Sequence, residues 1–368
     1  MNKRYLTAVI GLALASSIGL VNAGVRLYGQ LDVSVDAYDQ DSITVNGVRV
    51  LEGNDDVNLR SNTSAIGVKG AEDLGNGLEA FFKVEYQTDL ANDRSAGADG
   101  GSSGWTGRDQ YIGLGQEVAG KLAVGTMSTA YKAQAAKIDP FYRTSLQARD
   151  GRIGLQSALH RGKGEEGEGR ATNTIGYSSP NWGGFGLLGT YTLDSEDNVD
   201  GEDDNPWSVG ASFSGLGGLY AFVSYVTTNA NGDDDATQIG AQYALGSLEF
   251  HGIYELDGGL ITLQQYSGAV NQGAGTEPGT TNQGSGDGAD IWSVGGSWTI
   301  GNNLFGFDYG QGDAADDPLI VTDNYTAWRI AAYHKFSDRT RVYGGYSNND
   351  PDAGGEFDLF SVGMRHNF

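Results

Sequence analysis

The residues best placed to do chemistry are arginines and lysines crowded into one stretch, RTSLQARDGRIGLQSALHRGK, residues 143–163. It holds Arg143, Arg149, Arg152, Arg161 and Lys163 against a single acid, Asp150, in a chain of 368 residues whose formal charge is −24. A cationic patch in so acidic a chain is suited to attracting or steering anions rather than to making bonds. Other chemistries find little support. Without cysteine there is no thiolate nucleophile, thiolate metal site or disulfide framework. His160, His251, His334 and His366 show no HExxH spacing, and neither GxSxG nor a phosphate-binding loop occurs. EDNVDG, residues 196–201, starts like a calcium loop, but its twelfth position is Trp207 and not a bidentate Glu. The net charge excludes nucleic-acid binding by phosphate neutralisation. No catalytic residue, metal site or cofactor is indicated.

The elements that would carry such a patch are strands. Fifty-nine glycines, 19 tyrosines and only 6 prolines suit many strands joined by tight turns. Val25, Leu27, Leu31, Val33, Val35 and Ala37 fall on one face of a period-two pattern, and Arg26, Tyr28, Gln30, Asp32, Ser34 and Asp36 on the other. The pattern recurs over 78–87, 207–213 and 292–300. Periodicity alone fits a soluble sandwich equally well. Connection lengths separate the two. Short turns are read at 72–77, 117–121, 179–185, 214–218, 245–247, 300–303 and 336–340. Between them lie long polar segments near 39–56, 91–104, 128–171, 194–204, 230–235, 258–288, 313–321 and 350–355. Short turns at one end and long loops at the other describe an outer-membrane barrel of about sixteen strands, closed because lipid leaves no water for an open sheet edge. Aromatics near strand ends, among them Tyr38, Trp105, Tyr191, Trp207, Trp298, Tyr309 and Trp328, are candidates for interfacial girdles. The alternation also nominates lumen charges on the wall: Arg26, Arg60, Lys69, Lys83, Glu85, Arg108 and Lys121.

Residues 1–23, MNKRYLTAVIGLALASSIGLVNA, join Lys3 and Arg4 to an apolar run and a small-residue site ending at Ala23. This reads as a secretory signal cleaved after Ala23, leaving 24–368 as the barrel domain.

SAIGVKGAEDLGNGLEAFFKVEYQ (64–87), GRDQYIGLGQEVAGKLAVGTMSTAYK (107–132), NTIGYSSPNWGGFG (173–186) and the C-terminal FSVGMRHNF resemble the Gram-negative trimeric general porins, near the Neisseria-type branch. The resemblance covers nearly all the chain after the signal. It implies a homotrimeric, water-filled channel in the cell outer membrane for passive diffusion of ions and small hydrophilic solutes. It implies a third loop folded into the barrel, here 128–171, with Asp139, Arg143, Arg149, Asp150 and Arg152 at the constriction. That segment carries eight Lys/Arg against five Asp/Glu. A local positive excess in a narrow passage acts on ions more strongly than distant, screened loops. The expectation is a weak anion preference, weak because Ala123 and Thr126 stand where family members often have a basic pair. The resemblance further implies a barrel-assembly signal in Phe360, Val362, Met364 and Phe368, with His366 departing from the pattern.

Alternatives are a substrate-specific channel and a barrel with a mainly adhesive or structural role. For the loop arginines, the plainer reading is pairing with wall carboxylates that holds the loop in place. The acidic runs DSEDNVDGEDD (194–204), DDD (233–235) and DAADD (313–317) are read as solvated surface, or as sites where divalent cations bridge to lipopolysaccharide phosphates.

Overall fold

The computed structural model describes residues 24–45, 48–51, 53–91, 105–157, 159, 170–193, 205–227, 235–261, 288–314, 324–352 and 354–368. In chain order the strands are β1 (Arg26–Gln40), β2 (Ile43–Val45), β3 (Val48–Leu51), β4 (Asn54–Ser61), β5 (Ala65–Gly75), β6 (Leu78–Thr88), β7 (Trp105–Gln116) and β8 (Gly120–Ser128). A short helix, α1 (Ala130–Ala135), precedes β9 (Arg170–Ser178), β10 (Phe185–Thr192), β11 (Trp207–Gly215), β12 (Leu219–Thr227), β13 (Asp235–Leu245) and β14 (Leu248–Gly258). The chain ends with β15 (Ile291–Ile300), β16 (Asn303–Gly312), β17 (Tyr325–Lys335), β18 (Thr340–Pro351) and β19 (Phe357–Asn367).

From β5 onward each strand pairs antiparallel with the next, and β19 pairs with β1 from Gln30 opposite Asn367 to Gln40 opposite Phe357, closing the sheet. On the other flank of β1, β4 covers Val33 to Gln40 and β5 covers Arg26 to Gln30, so the two are segments of one wall strand. Counted so, the barrel has sixteen strand positions. The break falls at 62–64. There Thr63 has φ 57°, and Asn62 and Ser64 bond to Asp32 instead of extending the ladder. The hairpin of β2 and β3 stands apart from the barrel sheet.

The burial pattern is inside out. On β1, Asp32, Ser34 and Asp36 are buried while Leu27, Leu31 and Val35 are exposed. Apolar side chains outside and polar ones inside are what a strand between lipid and a wet lumen requires. A soluble sandwich would have the reverse. All seven short turns fall where the sequence puts them.

The apolar core is assembled inside the barrel, from the segment between β8 and β9. Phe141, Leu146, Ala148, Ile153 and Leu155 pack against Leu304, Tyr325, Ala327, Ala331, Tyr343, Phe357 and Leu359 of the wall. Burying each large apolar side chain is worth about 1.5–3 kcal/mol. Gly306 forms the seat of Phe141, since a Cβ there would lie 2.8 Å from the ring. Residues 129–157 are therefore a packed lining of the lumen wall.

Candidate functional site: the lumen constriction

The lining segment is fixed at several points around the wall. Thr129 caps α1 by accepting from the Lys132 amide at 3.3 Å, and all of α1 is buried. Glu255 on β14 holds both ends of the segment. It accepts from the Tyr131 hydroxyl at 2.6 Å, the Ser157 amide at 2.9 Å and the Ser157 hydroxyl at 2.6 Å. Asp139 accepts from the amides of Phe141 and Ala148 and pairs with Arg329 of β17 at 3.1 Å. Arg329 is fully buried, donates also to the Leu146 carbonyl and pairs with Asp308 at 2.7 Å. Arg365 of β19 donates to the carbonyls of Tyr142 and Arg143 while its Nε reaches Asp32 at 2.6 Å. Asp150 meets Arg60 of β4 at 2.8 Å and Arg152 at 3.3 Å. Buried charges paired this completely tolerate the loss of one partner poorly.

These contacts bring a second group of charges together against β6, β7 and β9. Arg143, with φ 62°, reaches Glu85 at 3.7 Å. Glu85 also accepts from Arg108 Nε and from the Tyr28 hydroxyl at 2.8 Å. Lys83 bonds Asp109 at 2.6 Å and lies 3.4 Å from Glu85, and Arg170 bonds Asp109 at 2.8 Å. Arg149 donates to Gln147 at 2.8 Å and lies 4.3 Å from the centre of the Tyr142 ring. Lys83, Arg108, Arg143 and Arg170 thus pair with Glu85 and Asp109, and Lys132 and Arg149 lie close enough to feel the charge of Arg170. Arg108 Nη2 and Arg143 Nε have no hydrogen-bond acceptor among the described residues.

The field of this cluster shows in its loop residues. Burial alone raises the Tyr142 phenol, but Arg149, Arg143, Arg108 and Arg170 outweigh it and bring the pKa down to about 8. Burial pushes the Lys132 ammonium well below the ordinary lysine range, and Arg170, Arg149 and Arg108 push it further. Such a site stabilises negative charge and disfavours added positive charge.

A model of the Gram-negative porin family matches residues 6–354. The chain belongs to the Gram-negative porin family. It is 26% identical over 378 residues to the major outer membrane protein P.IB of Neisseria sicca, covering 98% of this chain and 99% of that one. It is 27% identical to an outer membrane porin protein of Bordetella pertussis, over the whole of both chains. Its fold superposes on the anion-selective porin from Comamonas acidovorans with a TM-score of 0.69 at 20% identity, covering 94% of this chain and 100% of that one. The protein is accordingly an outer-membrane porin, a water-filled channel for passive diffusion of ions and small hydrophilic solutes, and not an enzyme.

Of the residues nominated from sequence, this porin gathers Lys83, Glu85, Arg108, Arg143 and Arg149 at one place and uses Asp139, Asp150 and Arg60 to fasten the loop. Arg152 is a fastener as well, with its guanidinium 5.0 Å from the Phe357 ring and 5.9 Å from that of Tyr38. Arg26 and Lys69 face each other across β1 and β5, and Lys69 sits 4.9 Å over Tyr28; neither bonds to the lining segment among the described residues. Lys121 pairs with Glu79 at 2.8 Å. Tyr38 is not a girdle residue. It shares the lumen face of β1 with Asp32, Ser34 and Asp36 and stacks on Phe357 at 6.2 Å. Phe360, Val362, Met364 and Phe368 all point outward and are exposed.

Sequence reasoning missed Asp109, Lys132, Arg170, Arg329 and Arg365. Asp109 follows Arg108, and strict alternation would send it to the lipid. A bulge sets both opposite Glu85, since Val84 pairs with Gln110 and Tyr86 with Gly107. Arg329 and Arg365 were readable, because each alternates with exposed apolar neighbours, Ile330 and Met364. Residues 1–23, 160–169 and 194–204, with the outer parts of the other acidic runs, lie outside the described residues.

Proposed function

We propose that this porin has a weak preference for anions and that the cationic cluster where the lining segment meets β6, β7 and β9 sets the preference. The observation that carries the proposal is the excess of Lys83, Arg108, Arg143, Arg149 and Arg170 over Glu85 and Asp109. Among the described residues the loop's acids offset little of it, because Asp139 is taken by Arg329 and Asp150 by Arg60 and Arg152. Charges beside a narrow, low-dielectric passage act on a passing ion with little screening. The lining segment sets the size limit and the cluster sets the sign. The Comamonas porin of the same fold is anion-selective, in keeping with this reading. The test is charge reversal: R143E/R149E moves the permeability ratio toward potassium, and an unchanged ratio refutes the assignment.

The same reading includes a homotrimer, a signal cleaved after Ala23 and recognition of Phe360, Val362, Met364 and Phe368 by the barrel-assembly machinery. It includes contact of the acidic loops with lipopolysaccharide through divalent cations. Light scattering in detergent, N-terminal sequencing of the outer-membrane form and outer-membrane yield of F368A test the first three. Retention of lipopolysaccharide with and without a chelator tests the last.

A further inference from the structure

A second cationic station lies on β17 and β18, beside the strands that hold the lining segment. Lys335 and Arg341 are direct cross-strand partners, and Arg341 in turn stands opposite Arg365. Like charges set side by side in register are unfavourable unless something of opposite sign comes between them. Among the described residues no carboxylate does so. Neither Lys335 nor Arg341 makes an ion pair among the described residues. The acid next in the row, Asp32, is already committed to Arg365 at 2.6 Å, Tyr343 at 2.7 Å and Asn62 at 3.1 Å. The Tyr333 ring is near both cations, 5.3 Å from the Lys335 ammonium and 4.9 Å from the Arg341 guanidinium. Tyr333 also packs edge-on against Phe141 of the lining segment.

The unsatisfied atoms of Arg341 identify the ligand. Nε and Nη2 are buried and have no hydrogen-bond acceptor among the described residues. These two nitrogens form one edge of the guanidinium, and their parallel N–H bonds match the two oxygens of a carboxylate. We infer that Arg341 and Lys335 form a binding station for small carboxylate-bearing solutes, separate from the cluster around Glu85. Arg341 takes one carboxylate through its Nε–Nη2 edge, and the Lys335 ammonium takes a second negative group on the same solute. Tyr333 holds both cations in place, and its contact with Phe141 ties the station to the lining segment. A solute so held pauses in the lumen beside the segment that narrows it.

The experiment uses the full-length porin in planar bilayers, with malonate titrated into potassium chloride at constant ionic strength. The reading is the malonate concentration that halves the current. Wild type shows saturable block. R341K keeps the charge but loses the forked edge, and raises the half-blocking concentration about tenfold, the worth of one charge-assisted hydrogen bond. K335Q also raises it. Absence of saturable block in wild type, or block in R341K and K335Q at the wild-type concentration, overturns the station. The zero-current potential of wild type in plain potassium chloride reports on the cluster around Glu85 independently. A potassium-preferring wild type with malonate block lost in R341K refutes that selectivity reading and upholds the station.

Discussion

Tyr142 makes the selectivity of the channel depend on pH in a range where ordinary tyrosines are silent. Its phenol, brought down to about 8, donates no charge when protonated and contributes a negative one when ionised. The ionised share rises from about 10% at pH 7 to about 90% at pH 9, so roughly 0.8 of a charge appears beside the arginines. Arg149 Nη1 is 3.3 Å from the phenol oxygen, so the new charge lies inside the cluster. At about 6 Å in water-like dielectric, that charge changes the energy of a passing monovalent ion by about 0.5 kcal/mol, or about 0.3 after screening in 0.1 M salt. The change has opposite sign for chloride and potassium. Their permeability ratio therefore falls by about threefold, since 0.6 kcal/mol corresponds to that factor. Y142F removes the titrating hydroxyl and keeps the ring. The assay is the zero-current potential under a salt gradient at pH 7, 8 and 9, in wild type and Y142F. A flat wild-type profile, or an equal fall in Y142F, refutes the reasoning.

The remaining predictions concern how the lumen is built. D139N breaks the buried pair with Arg329, a loss of about 3–5 kcal/mol to the anchoring of the lining segment; single-channel recordings should show larger, noisier conductance while the barrel melts as wild type does. G154A forces a side chain onto a residue at φ 73°, with its Cβ 2.6 Å from Asn349 and 2.7 Å from Tyr325, and should raise sensitivity of the segment to added protease. F368A removes the ring that sits on Gly29 at the closing seam, where Phe368 and Gly29 exchange backbone hydrogen bonds at 3.1 Å; a lower refolding yield in detergent is expected, with unchanged ion selectivity in the channels that form.

The barrel was legible in the chain because two physical constraints write themselves into sequence. Lipid outside and water inside impose alternation, as in Leu31, Val33 and Val35 against Asp32, Ser34 and Asp36. Short turns facing long loops impose the count. The break between β4 and β5 was not legible, since RSNTSA reads as a strand until Asn62 and Ser64 are seen bonding Asp32. At the constriction, the cationic excess could be read from composition, but the division of labour could not. Arg152 and Arg149 have the same chemistry and lie three positions apart, yet one meets Asp150 and Phe357 and the other Tyr142. Which arginine fastens and which sets the field depends on the path of an irregular loop, fixed by buried pairs between residues as distant in sequence as Asp139 and Arg329. Asp109 escaped because a bulge reverses the parity that alternation relies on.

The most direct test of the central claim is the zero-current potential of the purified wild-type porin in a planar bilayer under a potassium chloride gradient at pH 7. The account predicts a chloride-preferring potential, with the cluster of Arg108, Arg143, Arg149 and Arg170 prevailing over the acidic remainder of the chain. A potassium-preferring potential would contradict it, and would mean that the acidic mouths and lumen carboxylates govern the passage of ions.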